Sequence, residues 1–247
     1  IYGMTAKQTL DTAQSLYEKK LITYPRTDSQ YLTEDMEQTA RNVVRQIYEK
    51  YQLTGPFDQP EQPDVKKVMN NSKVTDHHAI IPTMELASCH LDELKSWEEK
   101  ILFLIAVHTV MAMSKDYIYQ ETEIEVECQG EIFKAKGKTV LQDGWKIFEN
   151  CFKNTYRMAI ADPDQEMKER IPKVTKGQTF YAVAAEKTEH FTSPPKPYSE
   201  DTLLAAMETA GNKEFDEDTE KKGLGTPATR AGIIEKLVYS QYATRKG

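Results

Sequence analysis

The chain has 247 residues, 39% of them apolar and 29% charged, with a net charge of −7 and three cysteines. That length can bury the core of one large domain or two modest ones, and no apolar run approaches the roughly eighteen residues that cross a bilayer. The acidic balance argues against coating nucleic acid by bulk electrostatics, and Cys89, Cys128 and Cys151, with no CxxC pair, argue against a disulfide scaffold or zinc ribbon and for a reducing cytosol.

Residues 1–5 show neither the basic start nor the apolar stretch of a secretory leader. Thr5 and Gln8 have capping-box spacing, and Ala6, Leu10, Ala13, Tyr17 and Leu21 recur at helical intervals, so a helix is expected until Pro25 forces Tyr24 into extended geometry. A second helix is expected from near Thr33, with Glu34 and Asp35 in its first turn and an apolar stripe of Ala40, Val43, Val44, Ile47 and Tyr51. Residues 54–73 hold Gly55, three prolines and Asn70-Asn71-Ser72, which reads as a long exposed loop. Ser96 and Glu99 then offer a second capping box, ahead of a helix carrying Ile101, Leu102, Ile105, Val110 and Met111.

The texture changes near Asp116. Ile118, Thr122, Ile124, Val126 and Cys128 mark a strand, Gln129-Gly130 a turn, and Ile132–Leu141 and Gln178–Ala184 further strands, antiparallel because no helix separates them. After Ser193-Pro194-Pro195, Ser199 caps a helix with Leu203, Leu204, Met207 and Ala210, and Gly211 stands just beyond it. A last helix is expected to open at Thr226-Pro227 and to carry Ile233, Ile234, Leu237 and Val238. Charge is uneven as well. Lys221–Gly247 holds six cations against Glu235 alone, a local +5, so the remaining residues sum to −12.

Tyr24-Pro25-Arg26-Thr27-Asp28-Ser29 is the most suggestive cluster. A free phenol has a pKa near 10, so about a thousandth is ionised at neutral pH. Attack on phosphorus needs cations that favour the phenolate and steady the phosphoryl oxygens, and a guanidinium such as that of Arg26 grips those oxygens in a fork. Spacing alone leaves open that Tyr24 packs its ring while Arg26 pairs with Asp28 on the surface. His77-His78 could bind an oxygen or relay a proton at a phosphodiester, or one could be packed and the other solvated. Gly223-Leu224-Gly225-Thr226-Pro227-Ala228-Thr229-Arg230 leads two glycines into a helix N-terminus suited to phosphate, or serves as a plain connection between helices.

Three further stretches carry less. Gly137-Lys138-Thr139 lacks the earlier glycine of a phosphate loop, since Ile132 stands there. Asp162-Pro163-Asp164-Gln165-Glu166 follows no clear apolar strand and reads as an exposed acidic loop rather than a magnesium site. Asn70-Asn71-Ser72 is a glycosylation sequon without meaning in a cytosolic chain.

Taken together, Ala13–Glu18 with Leu21–Ser29 is similar to the active-site block of the type IA DNA topoisomerases. His77–Thr83 resembles a second block of that family in its topoisomerase III form, and Thr192–Ser199 and Gly223–Ile234 resemble later blocks in the right order. The resemblance implies an α+β, multidomain fold: a helical tyrosine domain over 1–117, the second half of a β-rich arch over 118–191, and part of a helical DNA-binding base over 192–247. It implies that Tyr24 is the nucleophile of a 5′-phosphotyrosyl intermediate, that Arg26 holds the scissile phosphate and that His77 assists. Gln14, Asp28, His78, Thr229 and Arg230 would line the path of single-stranded DNA. Magnesium would be bound by an N-terminal metal-binding domain that these residues do not match, with no metal ligand in this chain. The implied enzyme relaxes or decatenates DNA without ATP, works in the cytoplasm and has no membrane partner. This chain alone would turn over poorly, and its oligomeric state is left open. The rival reading is a non-catalytic helix-turn-helix DNA-binding module built from 199–247.

Overall fold

A computed structural model describes residues 2–53, 63–155, 172–181, 184, 186–211 and 223–245. The described residues form α-helices and one two-stranded antiparallel sheet, an α+β chain that falls into two compact units. One comprises Ile1–Asp116, Gly144–Met158 and Tyr198–Gly247; the other comprises Tyr117–Asp143 and Ala159–Pro197. No helix among the described residues is long and apolar enough to cross a membrane.

In the larger unit, α1 (Ala6–Glu18) opens with the predicted reciprocal cap: Thr5 Oγ1 accepts from the Gln8 amide while the Gln8 side chain accepts from the Thr5 amide. It ends earlier than its apolar pattern suggests. Lys20 adopts a left-handed φ of 61°, the Lys20 amide bonds to Tyr17 O and the Leu21 amide to Leu16 O. These bonds make a Schellman turn with lysine where glycine is usual. Leu21 is therefore buried beyond the helix, and Tyr17, expected in the buried stripe, is 39% exposed.

The start near Thr33 takes the form of a 3-10 turn, Glu34–Met36, and α2 (Glu37–Tyr51) follows with Ala40, Val43, Val44 and Ile47 buried. The predicted exposed loop is exposed only in part. Residues 54–62 lie outside the described residues, but Val65 is fully buried, the Asp64 amide bonds to Met113 O and Met69 pairs with Leu32. Its 3-10 turns, Val65–Val68 and Asn71–Lys73, satisfy the backbone while the apolar side chains turn inward.

The central element is α3 (Ser96–Ala112), apolar nearly all round, with Ile101, Leu102, Phe103, Ala106, Val107 and Val110 buried among α1, α2 and α4. Its cap sits one residue earlier than Ser96 and Glu99 suggest. Lys95 is the cap residue, and the carboxylate of Glu98, not Glu99, accepts from the Lys95 amide. The reason is tertiary: Glu98 is 2% exposed and also accepts from Ser15 Oγ and Lys19 Nζ on α1. Although burial raises its pKa, those hydrogen bonds hold it below the usual carboxylate value.

α4 (Lys146–Thr155) is not among the expected elements, although Ile147, Phe148, Cys151 and Phe152 have helical spacing; its Phe152 stacks on Phe103 with centroids 5.8 Å apart. α5 (Glu200–Thr209) has the predicted cap, Ser199 Oγ accepting from the Thr202 amide, and Gly211 follows at φ 79°. α6 begins at Arg230 and runs to Tyr239, not from Pro227. Thr229 Oγ1 accepts from the Thr226 amide and closes a separate turn first, which delays the helix.

In the second unit, β1 (Ile118–Cys128) and β2 (Glu131–Gln142) form the predicted hairpin. Gln129 and Gly130 both have positive φ, 53° and 86°, the type I′ geometry whose twist suits a two-residue loop. One face alternates charge: Glu121, Glu123 and Glu125 stand opposite Lys138, Lys136 and Lys134. Lys138 and Thr139 thus lie in a strand, not in a phosphate-binding loop. The expected strand Gln178–Ala184 is absent from its described residues, where the Gln178 amide instead closes a turn on Thr175 O. A strand-like sequence needs a paired neighbour, and none stands beside it among the described residues. The acidic run 162–166 lies outside the described residues.

Candidate active site

The turn that ends α1 throws residues 21–23 against 81–83. The Thr23 amide bonds to Ile81 O and the Thr83 amide to Leu21 O, both at 3.0 Å, while Ile22 and Ile81 point into the core. Thr23 Oγ1 donates to Ala79 O and accepts from the Ile81 amide, so one hydroxyl pins the chain just before Tyr24 to the chain just after His78. Pro25 is buried and holds Tyr24 out of helical geometry. Further along, Thr27 Oγ1 donates to His77 O at 2.9 Å, Ser29 Oγ donates to Lys73 O, and Tyr31 O accepts from the Ala79 amide. The loop 24–31 is therefore stitched to 73–81 at several points.

This stitching brings Tyr24 and His77 together. Their ring centroids are 4.3 Å apart and tilted by 41°. On its other contact Tyr24 meets Tyr17 edge-on, at 5.4 Å and 79°. Tyr24 is half-buried and His77 exposed. Arg26 and Asp28 are both exposed and form no ion pair with each other or with another described residue. An exposed guanidinium left unpaired by protein, two residues along the chain from Tyr24, suits an anionic ligand.

The other predicted residues have different surroundings. His78 is half-buried and its Nδ1–H donates to Ala79 O at 2.9 Å. Gln14 donates to Glu18 along α1 at 3.1 Å. Thr229 bonds to Thr226 within its own turn, and Arg230, 8% exposed, donates to Leu224 O and Gly225 O. These bonds organise the 223–230 loop and turn the Arg230 guanidinium on its own carbonyls. The basic C-terminal stretch is also partly neutralised, since Arg245 pairs with Glu200 and Glu235. The described residues include no group of three His, Cys, Asp or Glu placed to hold a metal ion.

Two residues at the site escaped the sequence reading. Tyr17 looked like core, and Glu98 like one of four charges at a helix start. Neither spacing nor composition marks them, because their partners, Tyr24 for one and Ser15 with Lys19 for the other, become neighbours only on folding.

A family model described as DNA topoisomerase matches residues 1–247. Among curated proteins, the DNA topoisomerase 3 of Bacillus licheniformis is 38% identical over 264 residues, covering all of this chain and 34% of that protein. The Bacillus subtilis DNA topoisomerase 3 is likewise 38% identical over 258 residues, and that of Vibrio cholerae 37% over 245 residues, or 96% of this chain. The chain thus spans about a third of the length of the curated relatives it matches. Among solved structures, full-length topoisomerase I from Thermotoga maritima superposes with a TM-score of 0.59 at 22% identity, over 99% of this chain and 36% of that one, a likeness of fold. With the family model spanning every residue and relatives of this name aligned along the whole chain, the chain belongs to the type IA DNA topoisomerases, in the topoisomerase III branch.

Proposed function

We propose that this chain carries the nucleophile of an enzyme that cuts and reseals one DNA strand. The observation that carries the reading is the Tyr24 phenol flanked by the His77 ring, with the unpaired Arg26 guanidinium two residues on. The Tyr24 oxygen attacks a backbone phosphorus, forming a bond to the 5′ phosphate as the bond to the 3′ oxygen breaks. The phenol proton leaves and the 3′ oxygen gains one, so the sum is neutral. Arg26 neutralises the phosphoryl oxygens, and His77 orients the phenol and offers an imidazole for the proton. One phosphoester replaces another, so the reverse step reseals the strand without ATP, and passage through the break relaxes or decatenates DNA.

On this reading Gln14, Asp28, His78, Thr229 and Arg230 border the path of the single strand. Arg230 would act by shaping its loop, given the carbonyls it already holds. Residues 1–117 would form the tyrosine domain, 118–191 part of the arch and 192–247 part of the base. Magnesium would be held by an N-terminal domain outside these 247 residues, and the work would be done in the cytoplasm.

The test is a denaturing-gel trap with single-stranded DNA labelled at its 3′ end and magnesium present. It compares the chain, its Tyr24→Phe variant, and each mixed with the proposed N-terminal metal-binding domain. A labelled adduct that needs both Tyr24 and the added domain is the expected result. An adduct from the chain alone would refute the need for that domain. Duplex binding with no adduct in any lane would favour a non-catalytic helix-turn-helix module.

A further inference from the structure

Among the described residues the Tyr24 ring has two aromatic neighbours, of which His77 alone lies on the segments stitched to its own loop. The other, Tyr17, comes from α1, and the two faces of that helix's last turns do different work. Ser15 and Lys19 lie on one face and bond to the buried Glu98 carboxylate at 2.7 and 2.5 Å. Tyr17, two residues from each, points about 200° away from both, because successive residues turn about 100°. The Schellman bonds from Lys20 and Leu21 then lock the turn that Tyr17 occupies. Tyr17 is thus fixed from behind through Glu98 and meets Tyr24 edge-on at 5.4 Å in front. An edge-to-face pair of this kind is directional, so it favours one orientation of the ring. The partly exposed Tyr24 ring, which a backbone turn alone would leave to rotate about χ1, is confined between two rings.

We infer that Tyr17 is a positioning residue for Tyr24: its ring edge, held by the Glu98 anchor of α1, keeps the phenol against His77. The inference rests on Tyr24 being the nucleophile and adds a residue that acts through it. The hydroxyl of Tyr17 has no part in this, so phenylalanine at that position should serve.

The experiment compares Tyr17→Ala, Tyr17→Phe and Tyr24→Phe in two measurements. In the first, adduct formation is followed with the metal-binding domain added, at saturating and at limiting single-stranded DNA. Tyr17→Ala is expected to slow adduct formation at saturation by about tenfold to a hundredfold, the scale of an ångström-sized misplacement, with DNA affinity unchanged. Tyr17→Phe is expected to restore most of the rate. In the second, the nuclear Overhauser contact between the Tyr24 and His77 rings is measured on the chain alone, assigned by its loss in Tyr24→Phe. It should weaken in Tyr17→Ala and persist in Tyr17→Phe. A Tyr17→Ala variant with normal rate, a Tyr17→Phe as slow as Tyr17→Ala, or a loss confined to DNA affinity would each overturn the inference; the last would make Tyr17 a DNA-contacting surface. Absence of any wild-type adduct would sink the nucleophile reading instead, and the ring contact would still decide what Tyr17 does.

Discussion

Removing the Glu98 carboxylate tests whether the helix that carries Tyr17 is held from behind as described. Three donors meet that group: Ser15 Oγ at 2.7 Å, Lys19 Nζ at 2.5 Å and the Lys95 amide at 3.1 Å. The Lys95 bond is a helix cap, worth about 1 kcal/mol. The half-buried Ser15 hydroxyl bonds to a charged acceptor, worth about 1.5–3 kcal/mol. The Lys19 side chain is 41% exposed and regains water when its partner goes, so its share is at most about 1 kcal/mol. Glu98→Ala should therefore cost about 2.5–5 kcal/mol in urea unfolding at neutral pH, and lower the melting temperature by roughly 5–20 °C for a chain of this size. Glu98→Gln keeps the shape and some bonds and should lose about half as much.

The pH dependence separates the charge from mere volume. The Glu98 carboxyl titrates below its ordinary value in the folded chain, so its contribution is complete above the ordinary carboxylate range and is lost as pH falls through the lowered folded value. The stability gap between wild type and Glu98→Gln should be full at pH 7 and close as pH drops below about 4. A gap that stays constant, or a Glu98→Ala cost under about 1 kcal/mol, would refute the anchor.

Thr23→Val keeps shape but removes the hydroxyl between Ala79 O and the Ile81 amide; it should cost about 1–3 kcal/mol and speed hydrogen exchange at Ile81, and unchanged exchange would contradict the bridge. Tyr48 has a buried phenol oxygen without a hydrogen-bond partner among the described residues, and burial pushes its pKa up. Tyr48→Phe should leave stability equal or higher by up to about 1 kcal/mol, and a clear loss in urea unfolding would reveal an unseen partner. Gly144 has φ 48°, and an added Cβ would lie 2.2 Å from Asp116 O. Gly144→Ala should destabilise by more than about 1 kcal/mol, and an unchanged unfolding midpoint would contradict this turn.

Local chemistry was legible in the sequence wherever the partners are near in the chain. The reciprocal cap at Thr5, the cap at Ser199 and the Gln129-Gly130 turn are of that kind, and each formed as read. The failures have a common cause. Glu98 caps α3 in place of Glu99 because α1 supplies it with two more donors. Pro227 fails to open α6 because Thr229 spends its hydroxyl on Thr226. Val65 is buried inside a stretch whose composition says loop, because the backbone around it is satisfied in place, the Asp64 amide by Met113 O and the Val65 amide by Pro63 O. At the site, Tyr24 and His77 could each be singled out for their chemistry, but not their contact, which depends on hydroxyl bridges from Thr23 and Thr27 that no short motif announces.

Those bridges also explain how a chain can hold a polar surface loop in place without burying it. Apolar side chains on the loop's inner edge, Ile22 and Ile81, are 1% and 5% exposed and fix the two segments to the core. Between them the threonine hydroxyls satisfy backbone groups that two short segments cannot satisfy by pairing alone. Position is therefore set from below, by the core and these bonds. The upper edge, with Tyr24, Arg26 and His77, is left polar and open to a ligand. A loop held only by its own turn would cost a ligand the entropy of ordering it, about 1–2 kcal/mol for each backbone residue fixed. Here folding has already met that cost for residues 21–31, so the affinity of a ligand bound there need not be spent on ordering them.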